Sequence, residues 1–135
     1  LTDPVTGGSI LPFSEDFSGL PVPRSPEWSG SIAAAYTLGF RDGDIEISAE
    51  VYYEDENLYY IAAPGRAFDA YLNSKTLINA AVTYTPHGEQ FFVRAFGKNL
   101  SDKRYRIASQ SVATLWTHTQ WGAPRSYGIE AGFRF

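Results

Sequence analysis

Apolar and polar residues alternate along much of this chain, and the alternation is cleanest at its end. From Arg125 onward, Tyr127, Ile129, Ala131, Phe133 and Phe135 share one parity, with Ser126, Gly128, Glu130, Gly132 and Arg134 on the other. Side chains alternate across a strand, so this segment predicts one apolar face and one polar face. The same rhythm starts at Trp28. Gly30, Ile32, Ala34, Tyr36, Leu38 and Phe40 stand against Ser29, Ser31, Ala33, Ala35, Thr37 and Gly39. Arg41-Asp42-Gly43-Asp44 then predicts a tight hairpin, because Asp-Gly between alternating runs is a strong turn signal. The returning strand carries Ile45, Ile47, Ala49, Val51 and Tyr53 opposite Glu46, Ser48, Glu50, Tyr52 and Glu54.

A third strand is predicted over 71–85, with Ile78, Ala80, Val82 and Tyr84 apolar and Lys75, Asn79 and Thr83 polar. After a turn at Pro86-His87-Gly88-Glu89, a fourth runs over 90–99 and is the least clean. Phe91, Val93, Ala95 and Gly97 share one parity, but Phe92 and Phe96 interrupt Arg94 and Lys98 on the other. Residues 1–27 hold five of the eight prolines and read as loop, as do 63–70 and 100–124. No amphipathic helix is predicted. The expected fold is all-β, an antiparallel up-and-down meander of about five strands.

Two surroundings suit such strands: the half-buried sheet of a soluble domain, and a bilayer. A tilted strand needs about 9–11 residues to cross the hydrocarbon. Connections that alternate short, long, short, long match a transmembrane barrel, with short periplasmic turns and long extracellular loops. Glu46, Glu50 and Glu54 on one parity are costly in a sandwich core and cheap against water.

Composition narrows the partners. A net charge of −4 over 135 residues, with no basic run, argues against nucleic acid. Cysteine is absent, which excludes disulfides and thiolate metal sites. A 44% hydrophobic fraction with a mean hydropathy of −0.23 suits strands that are apolar on one face only. Methionine is absent even at position 1, so the chain is expected to be processed or part of something longer.

Two segments resemble TonB-dependent outer-membrane receptors. Phe96-Gly97-Lys98-Asn99-Leu100-Ser101-Asp102-Lys103-Arg104-Tyr105 is similar to the asparagine-leucine, aspartate, tyrosine motif near the end of those proteins. Gly122-Ala123-Pro124-Arg125, running on to Phe135, resembles their Gly-x-Pro-Arg closing strand. Leu20-Pro21 with Ser25-Pro26-Glu27-Trp28 is similar to the proline-rich entry into an earlier strand. The resemblance implies the final five strands of a barrel of about 22 strands around a plug, in the outer membrane of a Gram-negative bacterium. It further implies import of a scarce nutrient such as a metal chelate. Partners would be the remaining strands and plug of the same receptor, outer-membrane lipid, the barrel assembly machinery, and TonB through the missing amino-terminal region. No cofactor is implied. A carboxy-terminal aromatic with alternate apolar residues is recognised by that machinery, and Tyr127, Ile129, Ala131, Phe133 and Phe135 match the pattern.

No catalytic spacing appears, and an enzyme is not expected. His87 and His118 lie in different loops. Glu54-Asp55-Glu56-Asn57 is either a hard-cation site or, as favoured, an acidic strand extension. The best ligand candidates are Arg104, Tyr105, Arg106, Trp116, His118 and Trp121, whose cationic and aromatic side chains suit anionic or planar ligands. The same residues also suit an aromatic girdle with loop packing. The alternative from another class is a small soluble β-barrel or sandwich binding a lipophilic ligand.

Overall fold

A computed structural model describes residues 18–61, 70–88, 91–112 and 115–133. The long alternating runs form β1 (Ser29–Phe40), β2 (Gly43–Glu54), β5 (Lys75–Pro86), β6 (Phe91–Lys98) and β9 (Ser126–Phe133). They make one antiparallel sheet in the order β1-β2-β5-β6-β9, so sequence neighbours pair and β1 and β9 are its edges. Four shorter strands lie in the connections: β3 (Asn57–Leu58) with β4 (Tyr71–Leu72), and β7 (Arg106–Val112) with β8 (Trp116–Trp121).

Register sorts the side chains. Ile47 faces Tyr36 on one side and Val82 on the other, Val82 faces Ala95, and Ala95 faces Ile129. Opposed residues point to the same face, so one apolar face crosses all five strands without a charge. Tyr53, Tyr84, Phe91 and Phe133 lie on it. Glu46, Glu50, Glu54, Lys75, Arg94, Lys98 and Glu130 all take the other face. A second layer over the apolar face is missing among the described residues. Ile32 is 79% exposed and Ile129 81%, while the buried apolar side chains are Leu58, Ala70, Leu72 and Ala81.

The tight turn is where expected, although its glycine acts one residue later. Phe40 pairs with Gly43, which leaves Arg41 and Asp42 as the loop. Gly43 opens β2 at φ 155°, and a Cβ there would meet the Thr85 carbonyl oxygen at 2.5 Å and Pro86 Cα at 2.6 Å. Glycine is therefore required by both backbone conformation and the approach of β5. The Asp42 carbonyl accepts from the Tyr84 hydroxyl (3.1 Å) and the His87 N–H (3.2 Å), closing this end of the sheet.

Two expectations need correction. The third strand does not run continuously over 71–85, because Tyr71 and Leu72 leave the sheet to pair with Leu58 and Asn57. Segment 100–124 is not plain loop either, since it contains the β7–β8 hairpin. Its β-branched and aromatic residues favour strand, but neither face is apolar enough to betray the period. Of the proline-rich opening, 18–27 contains no strand; residues 1–17, most of loop 63–70, and Phe135 lie outside the described residues.

Phe92 and Phe96 have a local explanation. They stand directly across from Gly132 and Gly128, on the charged face. A Cβ on Gly128 would sit 2.4 Å from Phe96 Cζ, and one on Gly132 2.4 Å from Phe92 Cε1. Each ring covers the bare backbone opposite it. Gly128→Ala is expected to destabilise by about 1–2 kcal/mol by displacing the ring. Thermal unfolding should register the loss, and Phe96→Leu in the same chain should recover part of it.

Candidate functional site

At the end of the sheet away from the tight turns, the chain leaves β6 through Asn99 and returns to β9 through Arg125. Asn99 adopts φ 50°, which asparagine tolerates better than most residues, and is 5% exposed. Its Nδ2 donates to the carbonyls of Lys103 (3.0 Å) and Ala123 (3.1 Å), and its Oδ1 accepts from the Lys103 N–H (3.0 Å). Its own N–H donates to Asn79 Oδ1 on β5 at 3.1 Å. The next N–H, of Leu100, donates to the Ile78 carbonyl (2.8 Å), and the Ser101 hydroxyl donates to that of Thr76 (3.2 Å).

The second half of the knot uses Asp102, also in the left-handed region at φ 52°. Its Oδ1 accepts from the Arg125 N–H at 3.3 Å, and its Oδ2 lies 3.7 Å from the Arg125 guanidinium. Gly122 N–H donates to the Tyr105 carbonyl (2.9 Å), and the Tyr105 ring occupies the space a Cβ on Gly122 would take. The two sequence motifs are thus one physical object. Asn99, Asp102 and Tyr105 each grip the segment 122–125 and clamp both strands at the root of the hairpin.

A cationic hub lies beside this clasp. Lys75 Nζ donates to Glu54 Oε1 at 3.0 Å and sits 5.4 Å from the Tyr105 ring centroid and 5.9 Å from that of Tyr52. Tyr52 donates its hydroxyl to the other oxygen of Glu54, and Asn57 Nδ2 donates to Oε1 at 3.1 Å. The carboxylate that ends β2 is therefore engaged by the sheet, which departs from the expected solvated acidic extension. Among the described residues no three His, Asp or Glu side chains are placed to hold a metal ion.

The ligand candidates divide into groups. Arg104 and Arg106 place their guanidinium carbons 5.1 and 5.8 Å from the Trp121 ring, a cation-aromatic stack at the hairpin root. Arg106 also reaches the Tyr71 carbonyl (3.5 Å), tying β7 to β4. Tyr105 turns away to Gly122 and Lys75. Trp116 and His118 lie further out on β8, both exposed. The six do not form one pocket, and His87 lies at the opposite end of the sheet from His118. The arrangement suits recognition by stacking and charge.

On the charged face, Ala33, Ala35, Ser48 and Ala81 line a groove of ≈ 590 Å³, flanked by Glu50 and by Arg94. Asn79 Nδ2 donates to Glu50 (3.2 Å), and Arg94 stands 4.0 Å from Glu130. Sequence parity placed these residues on this face; the groove follows from small side chains on adjacent strands, which no single strand reveals. Of the expected assembly signal, Tyr127, Ile129, Ala131 and Phe133 share the apolar face of β9, with the Phe133 and Phe91 rings 6.1 Å apart. Compared with protein-family models, curated proteins and solved structures, the chain matches none.

Proposed function

We propose that this chain is the carboxy-terminal barrel segment of a TonB-dependent outer-membrane receptor importing a scarce nutrient such as a metal chelate. The observation that carries the reading is a charge-free apolar face that spans all five strands and that no second layer covers among the described residues, with every charge of the sheet on the other side. A soluble domain buries such a face against a second layer; a lipid-facing wall leaves it bare. The clasp joining Asn99 and Asp102 to Ala123 and Arg125 adds support, because it gives the two family-like motifs a common purpose.

Five strands are too few to close across a bilayer, since even the small outer-membrane barrels use about eight. An unpaired edge in hydrocarbon costs several kcal/mol per unsatisfied group. β1 and β9 are accordingly read as seams to the remaining strands, and the groove beside Glu50 and Arg94 as a wall facing the plug. The Arg104–Trp121–Arg106 stack is read as part of the ligand-facing surface. The terminal strand is read as the signal for the assembly machinery.

Fractionation tests the class. The full-length protein is expected in the outer-membrane fraction, as a heat-modifiable species in detergent, and uptake of its ligand is expected to need the inner-membrane energy supply. Recovery from the aqueous phase as a compact monomer would overturn this reading in favour of a soluble β-barrel or sandwich.

A further inference from the structure

We propose that the open face of the β7–β8 hairpin is a binding site for a neutral saccharide. The register pairs Gln110 with His118 and Ala108 with Gln120, so Gln110, Gln120, His118 and Trp116 all point from the same face. All four are exposed, Trp116 to 55%. The opposite face is seated nearer the root, where Ser109 is 0% exposed and Thr119 half-buried; towards the tip Thr117 is exposed and bonds Ser111 across the pair at 3.0 Å. The seated half leaves the other face turned to solvent.

The chemistry of that open face selects its ligand. Among the described residues the side chains of Gln110, His118 and Gln120 make no hydrogen bond within the protein. Each amide offers a donor and an acceptor, and the imidazole adds a further polar edge, which matches hydroxyls that both give and take a hydrogen bond. The Trp116 indole supplies an apolar platform for the C–H face of a sugar ring. Among the described residues this face carries no Asp, Glu, Lys or Arg. That suits an uncharged polyol, whereas Arg104 and Arg106 at the root suit anions and stack on Trp121. Side chains repeat about every 7 Å along a strand and about 5 Å across the pair, so one extended oligosaccharide reaches all four.

This site stands apart from the membrane reading. The test uses the full chain in a detergent without a sugar headgroup, with far-ultraviolet circular dichroism confirming its strands. Binding is followed by isothermal titration calorimetry with maltohexaose, cellohexaose and laminarihexaose, with an acidic hexagalacturonate for contrast, and with lipopolysaccharide bearing or lacking its polysaccharide chain. The expected result is saturable binding of a neutral glycan, free or lipid-linked. Trp116→Ala should weaken it about tenfold, Gln120→Ala less, and Trp116→Phe should restore most of it. Trp28→Phe, remote from the hairpin, should leave it unchanged. Folded protein that binds no neutral glycan, binds only the acidic one, or binds equally well as Trp116→Ala would overturn the proposal. Glycan binding through Trp116 in a protein recovered from the aqueous phase would sustain it while the receptor reading fell.

Discussion

Replacing Val82 with arginine is expected to cost about 2–4 kcal/mol when the full-length protein is folded into lipid vesicles. Val82 sits mid-strand in β5, between Ile47 and Ala95, on the charge-free face. Arginine there places a cation where the receptor reading puts hydrocarbon. The contrasting variant is Thr37→Arg, on the other face of β1 opposite Glu46. It should shift stability by less than about 0.5 kcal/mol, as exposed substitutions usually do. Urea titration of vesicle-embedded protein measures both. Equal behaviour of the two variants would mean that the faces meet the same solvent, and the lipid assignment would fail.

The second large effect belongs to the clasp. Asn99→Ala removes four side-chain hydrogen bonds, the weakest from the Ser101 hydroxyl at 3.4 Å, and strips the Lys103 and Ala123 carbonyls of a buried donor. Losing bonds while leaving groups unpaired costs about 1–3 kcal/mol, and alanine at φ 50° adds about 1 kcal/mol. The expected total is about 3 kcal/mol. Proteolysis should follow the same pattern, with cleavage between residues 99 and 125 accelerated before the rest of the sheet opens. Asn99→Asp retains the acceptor to Lys103 N–H and should lose less in backbone conformation, separating the two contributions. A loss below about 0.5 kcal/mol for Asn99→Ala would show that the strands are held together without the knot.

Much of the sheet was legible in the chain because its period is two and its faces differ in polarity. Ile45 to Tyr53 and Tyr127 to Phe133 could hardly be assigned to the wrong face. Where both faces are polar, the period vanishes from view, and the sequence of the β7–β8 hairpin reads as loop for that reason. Tyr71 and Leu72 continued the parity of β5 well enough to be joined to it; their pairing with Leu58 and Asn57 is a tertiary choice that alternation does not encode. Phe92 and Phe96 looked like faults in a polar face until the glycines across from them supplied the reason. Candidate ligand residues chosen by chemistry alone were only partly brought together. Arg104, Arg106 and Trp121 meet, whereas the Tyr105 side chain serves the clasp.

The clasp also separates what must stay fixed from what is free to vary. Its bonds join residues 99–105 directly to 122–125, so the stem of the hairpin is complete before the chain reaches residue 106 and again after residue 121. Whatever lies between is carried as a cassette. Its length and chemistry can be exchanged while β6 and β9 keep their register, and new recognition can arise at the tip without refolding the wall beneath it.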